Sequence, residues 1–156
     1  MIAADIMHKD VITVRENQTV KELARILLDA RISGAPVLNH SGKLVGVVSQ
    51  TDLVRSVRED AQPHEAPAYH QDVRWLGSQG FQVETPEYHL VRDVMTPAVI
   101  SADVEAPVVD VARLMAGKHI HRVIITHRGR LAGIVTSMDI LKAFVGLAGP
   151  ARGAHA

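Results

Sequence analysis

The chain has no cysteine, which excludes disulfides, thiolate zinc sites and a cysteine nucleophile. Aromatic residues make up only 3% of it, so Val, Ile, Leu and Ala must fill the interior. No apolar run approaches the roughly 20 residues needed to span a bilayer, and no basic-then-apolar leader opens the chain. The expectation is a cytoplasmic protein without membrane attachment. An excess of one charge is missing too: 17 basic residues face 17 acidic ones. That balance argues against a chain-wide grip on nucleic acid and leaves only a local basic run for one. A G-x-S-x-G elbow, a P-loop and a dinucleotide glycine fingerprint are all absent, so no catalytic residue is assigned. What remains is an apolar share of 47% in 156 residues. A globule of that size buries roughly 68–70% of its unfolded surface, as one compact domain or as two small halves sharing a core.

The chain also repeats itself. Residues 5–55 and 93–142 run in parallel at an offset of 88 through Asn39, then 87 after one residue is dropped before Gly129. Asp5/Asp93, Met7/Met95, Ile12/Ile100, Gly46/Gly133 and Asp52/Asp139 are identical pairs. Such self-similarity marks two copies of one supersecondary unit. In each copy a β-rich run (residues 11–14 and 99–102) precedes an amphipathic helix. Thr19 and Glu22 are spaced as a capping box, and Val20, Leu23, Ala24, Leu27 and Ala30 form one apolar stripe. Pro107 replaces Thr19 in the second copy. Two further apolar runs joined around Gly42 or Gly129 predict a hairpin, and another helix begins near Asp52 or Asp139. Each copy therefore reads β-α-β-β-α. The predicted units are residues 1–60, an insert at 61–86, residues 87–146, and a frayed tail at 147–156. Within the insert, residues 69–76 predict a helical turn with Trp75 docked on the core, and Thr85, Pro86 and Glu87 predict a helix start.

Duplicated polar residues outside the apolar pattern are the candidate site. Asp52 and Asp139 stand in first helical turns, where a carboxylate complements the helix dipole whatever its function. The same carboxylate at a cleft mouth can accept both hydroxyls of a ribose, and free N–H groups there can meet a phosphate. The run at residues 118–122 brings Arg122, whose planar fork suits phosphate oxygens, although a solvated strand start explains it equally. Nine histidines invite a metal reading, but no third ligand recurs beside His119 and His121, so no metal site is assigned.

The D-I-M and D-V-M openings, the S-G-A-P-V run, G-V-V-S-Q-T-D ending at Asp52 and G-I-V-T-S-M-D ending at Asp139 resemble the cystathionine-β-synthase (CBS) domain in its tandem form, the Bateman module. The resemblance covers both copies and omits the insert and the tail. It implies an α/β (α+β) fold with two three-stranded sheets packed about a pseudo-twofold axis, and a disc-like homodimer. It further implies a non-catalytic sensor that binds an adenine nucleotide (AMP, ADP or ATP) as regulatory ligand, requires no cofactor, and signals to an effector protein in trans. Carried over residue by residue, the ligand-lining positions are Ile12, Thr13, Ile100 and Ser101 around the base. Ser33, Gly34, Ala35 and Pro36 align with His121, Arg122 and Val123 at the second strands. Ser49, Thr51 and Asp52 align with Thr136, Met138 and Asp139 at the ribose. Charge in one set and glycine and proline in the other predict inequivalent clefts, with the cleft of Arg122 and Asp139 preferring phosphorylated ligand. A dimerisation module with degenerate clefts, and an S-adenosylmethionine or NAD sensor, are the alternatives; nucleic acid is not an expected partner.

Overall fold

A computed structural model of the chain describes residues 1–57, 67–71 and 89–148. The first copy runs α1 (Ala3–Ile6), β1 (Val14–Arg15), α2 (Val20–Ala30), β2 (Gly34–Leu38), β3 (Leu44–Ser49) and α3 (Gln50–Val57). A 3₁₀ turn, Ala68–His70, follows. The second copy runs α4 (Val91–Val94), β4 (Ser101–Asp103), α5 (Val108–Lys118), β5 (Arg122–His127), β6 (Arg130–Thr136) and α6 (Ser137–Ala148). Among the described residues no helix is long and apolar enough to cross a membrane.

Local chemistry sets these elements. Thr19 Oγ1 accepts from Glu22 N at 3.1 Å while Glu22 Oε2 accepts from Thr19 N at 2.8 Å, the reciprocal cap that opens α2. Val20, Leu23 and Leu27 are buried along its inner face. In the first hairpin Asn39 Oδ1 gathers the backbone N–H groups of Ser41 and Lys43, and Gly42 takes φ +78°. The second hairpin turns through Arg128 and Gly129, both at positive φ, as a two-residue primed turn requires. The first β-rich runs shift from their expected place: only Val14 and Arg15 pair in the first sheet, and Ser101 to Asp103 in the second. Helix α6 continues past Phe144 to Ala148, where the described residues end. Of the segment predicted as a helical turn, 69–76, only residues 69–71 are described; Tyr69 and His70 belong to the 3₁₀ turn Ala68–His70, and residues 72–76 lie outside the described residues. Trp75 and the start at Thr85 lie outside the described residues.

Each sheet has one parallel and one antiparallel pairing, in the order β1-β2-β3 and β4-β5-β6. Each has its own helix-covered core, and Val47, Tyr69 and Ile124 form a third cluster between the sheets. The leaders are exchanged. Ala3 N donates to Ala106 O at 2.8 Å, and Ala3 is buried in the second core. Val91 N donates to Gln18 O at 2.8 Å, and Val91 is buried in the first core. Each leader then crosses the last strand of the other copy, His8 beside Ile134 and Thr96 beside Val47. The crossings are so close that a Cβ on Gly133 would lie 2.7 Å from His8 O, and one on Gly46 would lie 2.9 Å from Thr96 O. Backbone approaches of that kind require glycine.

Candidate functional site

Between the repeats lies a cavity of about 360 Å³, within the range of small-ligand sites. One wall is the leader after α1, at Asp10, Val11 and Ile12; another is the start of β2, at Ser33 and Gly34. Ile134 of β6 and the Tyr69 ring close the inner side. Two guanidinium groups border the space, Arg31 and Arg122. Arg31 ends α2 in the left-handed conformation, φ 53°, which turns the chain from helix to β2. Arg122 stands over Tyr69 with its guanidinium carbon 5.3 Å from the ring centroid, a cation–π arrangement. Two cations against the single carboxylate of Asp10 leave the mouth suited to an anionic group.

The two duplicated aspartates lie at strand-to-helix junctions and are 4% and 6% exposed, so neither points into bulk solvent. Asp139 Oδ2 accepts from Thr136 N at 2.8 Å and from Thr136 Oγ1. Its Oδ1 lies 2.8 Å from His8 Nε2. Asp52 Oδ2 accepts from Ser49 N at 2.8 Å and from Ser49 Oγ at 3.0 Å, and Arg55 stands 3.5 Å from Oδ1. Burial pushes the Asp52 carboxyl above its ordinary value, and the bonds from Ser49 only partly oppose it. Burial also acts to raise Asp139, but the Thr136 hydroxyl and N–H, with His8, outweigh it and hold that carboxyl below the ordinary value. Asp139 is thus poised as an anion, and the chain links it to the cavity from two sides. His8 lies two residues before the Asp10 wall, and Thr136 lies two residues beyond Ile134 and directly opposite Arg122 in the sheet.

The pseudo-twofold counterpart of this cavity is filled. His70 is fully buried there, with Nδ1 2.9 Å from Arg122 O and Nε2 3.2 Å from Ile100 N. His121 N donates to His70 O at 2.8 Å.

Of the expected site residues, Ile12, Ser33, Gly34 and Arg122 come together around the open cavity. Thr136 and Asp139 are not in the cavity wall but lie next to it, Thr136 standing opposite Arg122 in the sheet, and Ser49 and Asp52 form the matching pair on the first copy. Ile100, His121 and Arg122 surround His70. Ala35 and Val123 face the helix-covered cores of their own copies, and Pro36 is buried in β2. Thr13, Thr51, Ser101 and Met138 are not among the residues lining the open cavity, and Met138 is exposed. Arg31, Asp10, His8, Tyr69 and His70 are the residues the sequence reading did not single out. Arg31 carried a usable signal: its counterpart His119 also ends a helix in the left-handed conformation, φ 54°, so both copies put a nitrogenous side chain before the second strand.

The CBS domain model matches residues 3–59 and 91–146. An uncharacterized protein of Methanocaldococcus jannaschii, MJ1426, is 33% identical over 155 residues, covering 93% of this chain and 92% of that one. Other relatives are longer: the chain spans 41% of MJ1225 and 23% of an L-aspartate semialdehyde sulfurtransferase from the same organism. Among solved structures, the CBS domain pair of protein MJ0100 in complex with 5′-methylthioadenosine and S-adenosyl-L-methionine is 27% identical, with TM-score 0.65, covering 94% of this chain and 98% of that one. CBSX2 in complex with AMP shares the fold at 20% identity and TM-score 0.67, covering 95% and 98%. The duplicated β-α-β-β-α units agree with these matches, and the chain belongs to the CBS domain family as a tandem pair.

Proposed function

We propose that the chain is a non-catalytic sensor, working in the cytoplasm, that takes a phosphorylated adenosine compound (AMP, ADP or ATP) into the open cleft. The observation that carries this reading is the convergence of Arg31 and Arg122 on a cavity whose edge leads to the anionic Asp139. The base would lie between Ile12 and the close-packed Gly34 backbone. The ribose hydroxyls would replace His8 on Asp139, and the phosphates would meet the two guanidinium groups. Charge-assisted bonds of this kind are worth about 1.5–3 kcal/mol each, enough to set affinity. The expected outcome for Asp139→Ala is AMP binding weakened roughly ten- to a hundredfold with the fold intact, by calorimetry and circular dichroism. Equal affinities would remove Asp139 from the site.

A second reading takes S-adenosylmethionine or 5′-methylthioadenosine as the ligand. The complex formed by the MJ0100 pair favours it, and Asp10 at the cavity suits a cationic sulfonium. The two arginines favour phosphate. Competition at the cleft between AMP and 5′-methylthioadenosine decides between them: an advantage for AMP that shrinks in Arg122→Ala supports the phosphate reading. A sensor of this kind acts by biasing the arrangement of the two copies, which an effector in trans reads only by contacting the two states differently. Absence of a thermal shift with any of these ligands would leave a dimerisation module with degenerate clefts.

A further inference from the structure

The second cleft is the open cleft's counterpart under the internal repeat. Ile100 stands for Ile12, His121 and Arg122 for Ser33 and Gly34, and Val47 for Ile134. In place of empty space it contains the 3₁₀ turn Ala68–His70, delivered from the insert. The hydrogen bonds fix the chemistry of the His70 ring. Arg122 offers a carbonyl, which only accepts, so Nδ1 carries the proton; Ile100 offers an N–H, which only donates, so Nε2 carries a lone pair. Burial pushes this imidazole below its ordinary value, which keeps it neutral in that tautomer. A planar ring with one N–H donor and one acceptor nitrogen satisfies the carbonyl and the N–H that the cleft wall offers, groups that a nucleobase can meet in the same way. Tyr69 anchors the turn. It is buried between Val47 and Ile124, edge-on to His70 at 5.3 Å, with Arg122 over its face. It also reaches the other side, where a Cβ on Gly34 would lie 2.8 Å from its Cδ2, and there it forms a wall of the open cavity.

We infer that the second cleft is a latent adenosine site held shut by the chain's own Tyr69 and His70, with the imidazole taking the place of the base. The inference rests on the adenosine reading of the first cleft. Two consequences follow from the geometry. The chain takes one ligand tightly, and a second binds only when the turn leaves, its apparent affinity lowered by the small fraction of chains in which the cleft is open. Because Tyr69 is also a wall of the first cleft, filling the second weakens the first, and by linkage the first disfavours the second equally.

The test is calorimetric titration of the full chain with AMP, for the natural protein and for the variant His70→Ala, which removes the ring from the second cleft and leaves the Tyr69 wall of the first in place. One tight equivalent per chain in the natural protein and two in the variant, with the second tightened roughly ten- to a hundredfold, is the expected result. A single equivalent in both would overturn the latent site while leaving the first cleft as read. Two equal equivalents in the natural protein would show that the turn is no barrier. Binding to neither protein would sink the adenosine reading and this inference together. Should the variant fail to fold, ¹⁵N-histidine spectra of the natural protein decide instead. The His70 signals must keep the Nδ1–H tautomer through the first equivalent and change only at a second, weaker step; movement with the first equivalent would overturn the assignment.

Discussion

Asp52 and Asp139 are the same residue in the two copies, with the same serine or threonine cap, yet burial and partners drive them in opposite directions. Asp52 is covered more deeply and its cation stands off at 3.5 Å; Asp139 has His8 at 2.8 Å. The signs for stability follow. Asp139, with its folded value depressed, contributes stability above the ordinary carboxylate range and loses it as pH falls through the folded value. Asp52, with its folded value raised, favours the fold in its protonated state, and that contribution is lost as pH rises through the folded value. At neutral pH, Asp52→Asn is therefore expected to be neutral or slightly stabilising, since the amide oxygen still accepts from Ser49 N. Asp139→Asn gives up the His8 bond and is expected to cost about 1 kcal/mol, a cost that shrinks below about pH 4. Denaturant melts of both variants at pH 7 and pH 3.5 measure this; equal losses for the two at pH 7 would contradict the assignment. The proposed ligand site shares the asymmetry, because the carboxylate held below its ordinary value is the one beside the open cavity.

The leader segments matter most at the scale of elements. Asp5 and Asp93 are duplicated because each accepts from the N–H three residues earlier, Ile2 at 2.8 Å and Leu90 at 2.9 Å, and so opens its short helix. Each leader then crosses a glycine of the other copy. Gly133→Ala would force its Cβ against His8 O and Met7 Sδ, and backbone cannot yield as a side-chain end does. The expected cost is about 1–3 kcal/mol. AMP binding is also expected to weaken, because the displaced strand carries both His8 and the Asp10 wall. A variant that loses stability but keeps full affinity would uncouple the leader from the cleft. The capping box and the hairpins were legible in the sequence because each depends on residues a few positions apart, and the duplication because the chain matches itself at a nearly constant offset. The exchange of leaders was not: Ala3 and Val91 look like ordinary small or branched residues, and nothing local says that their partners lie about a hundred or about seventy positions away. Tyr69 and His70 were hidden for the same reason, standing in a polar insert with no repeat to compare them with. The aspartates and Arg122 were found through duplication and family pattern, whereas Arg31 and Asp10 needed the fold to bring them to the cavity.

At the scale of the molecule, an apolar face is uncovered among the described residues. On α6, Met138, Leu141, Phe144 and Val145 are 55–69% exposed, spaced at three- and four-residue intervals along one stripe, and Val109 of α5 is exposed as well. Between the two helices runs a groove of about 430 Å³ lined by Ala112, Met115, Ala116 and Ile140. Large side chains held in water beside an apolar groove mark an association surface, and we propose that a second copy of the chain covers it, in the homodimer that the family resemblance implies. Helix α6 begins with the turn that holds Asp139, so ligand at the cleft and a partner on the stripe act on one rigid element. Their free energies are therefore linked, and each should strengthen the other by the same factor. Replacing Leu141 and Phe144 together by Glu puts two charges on the face while leaving both cores untouched. Light scattering coupled to size exclusion is expected to find two chains per particle for the natural protein and one for the variant, with AMP bound more weakly by the variant. A natural protein that runs as a single chain at tens of micromolar would assign the stripe to a different partner. A monomeric variant with unchanged affinity would mean that α6 carries no signal between cleft and interface.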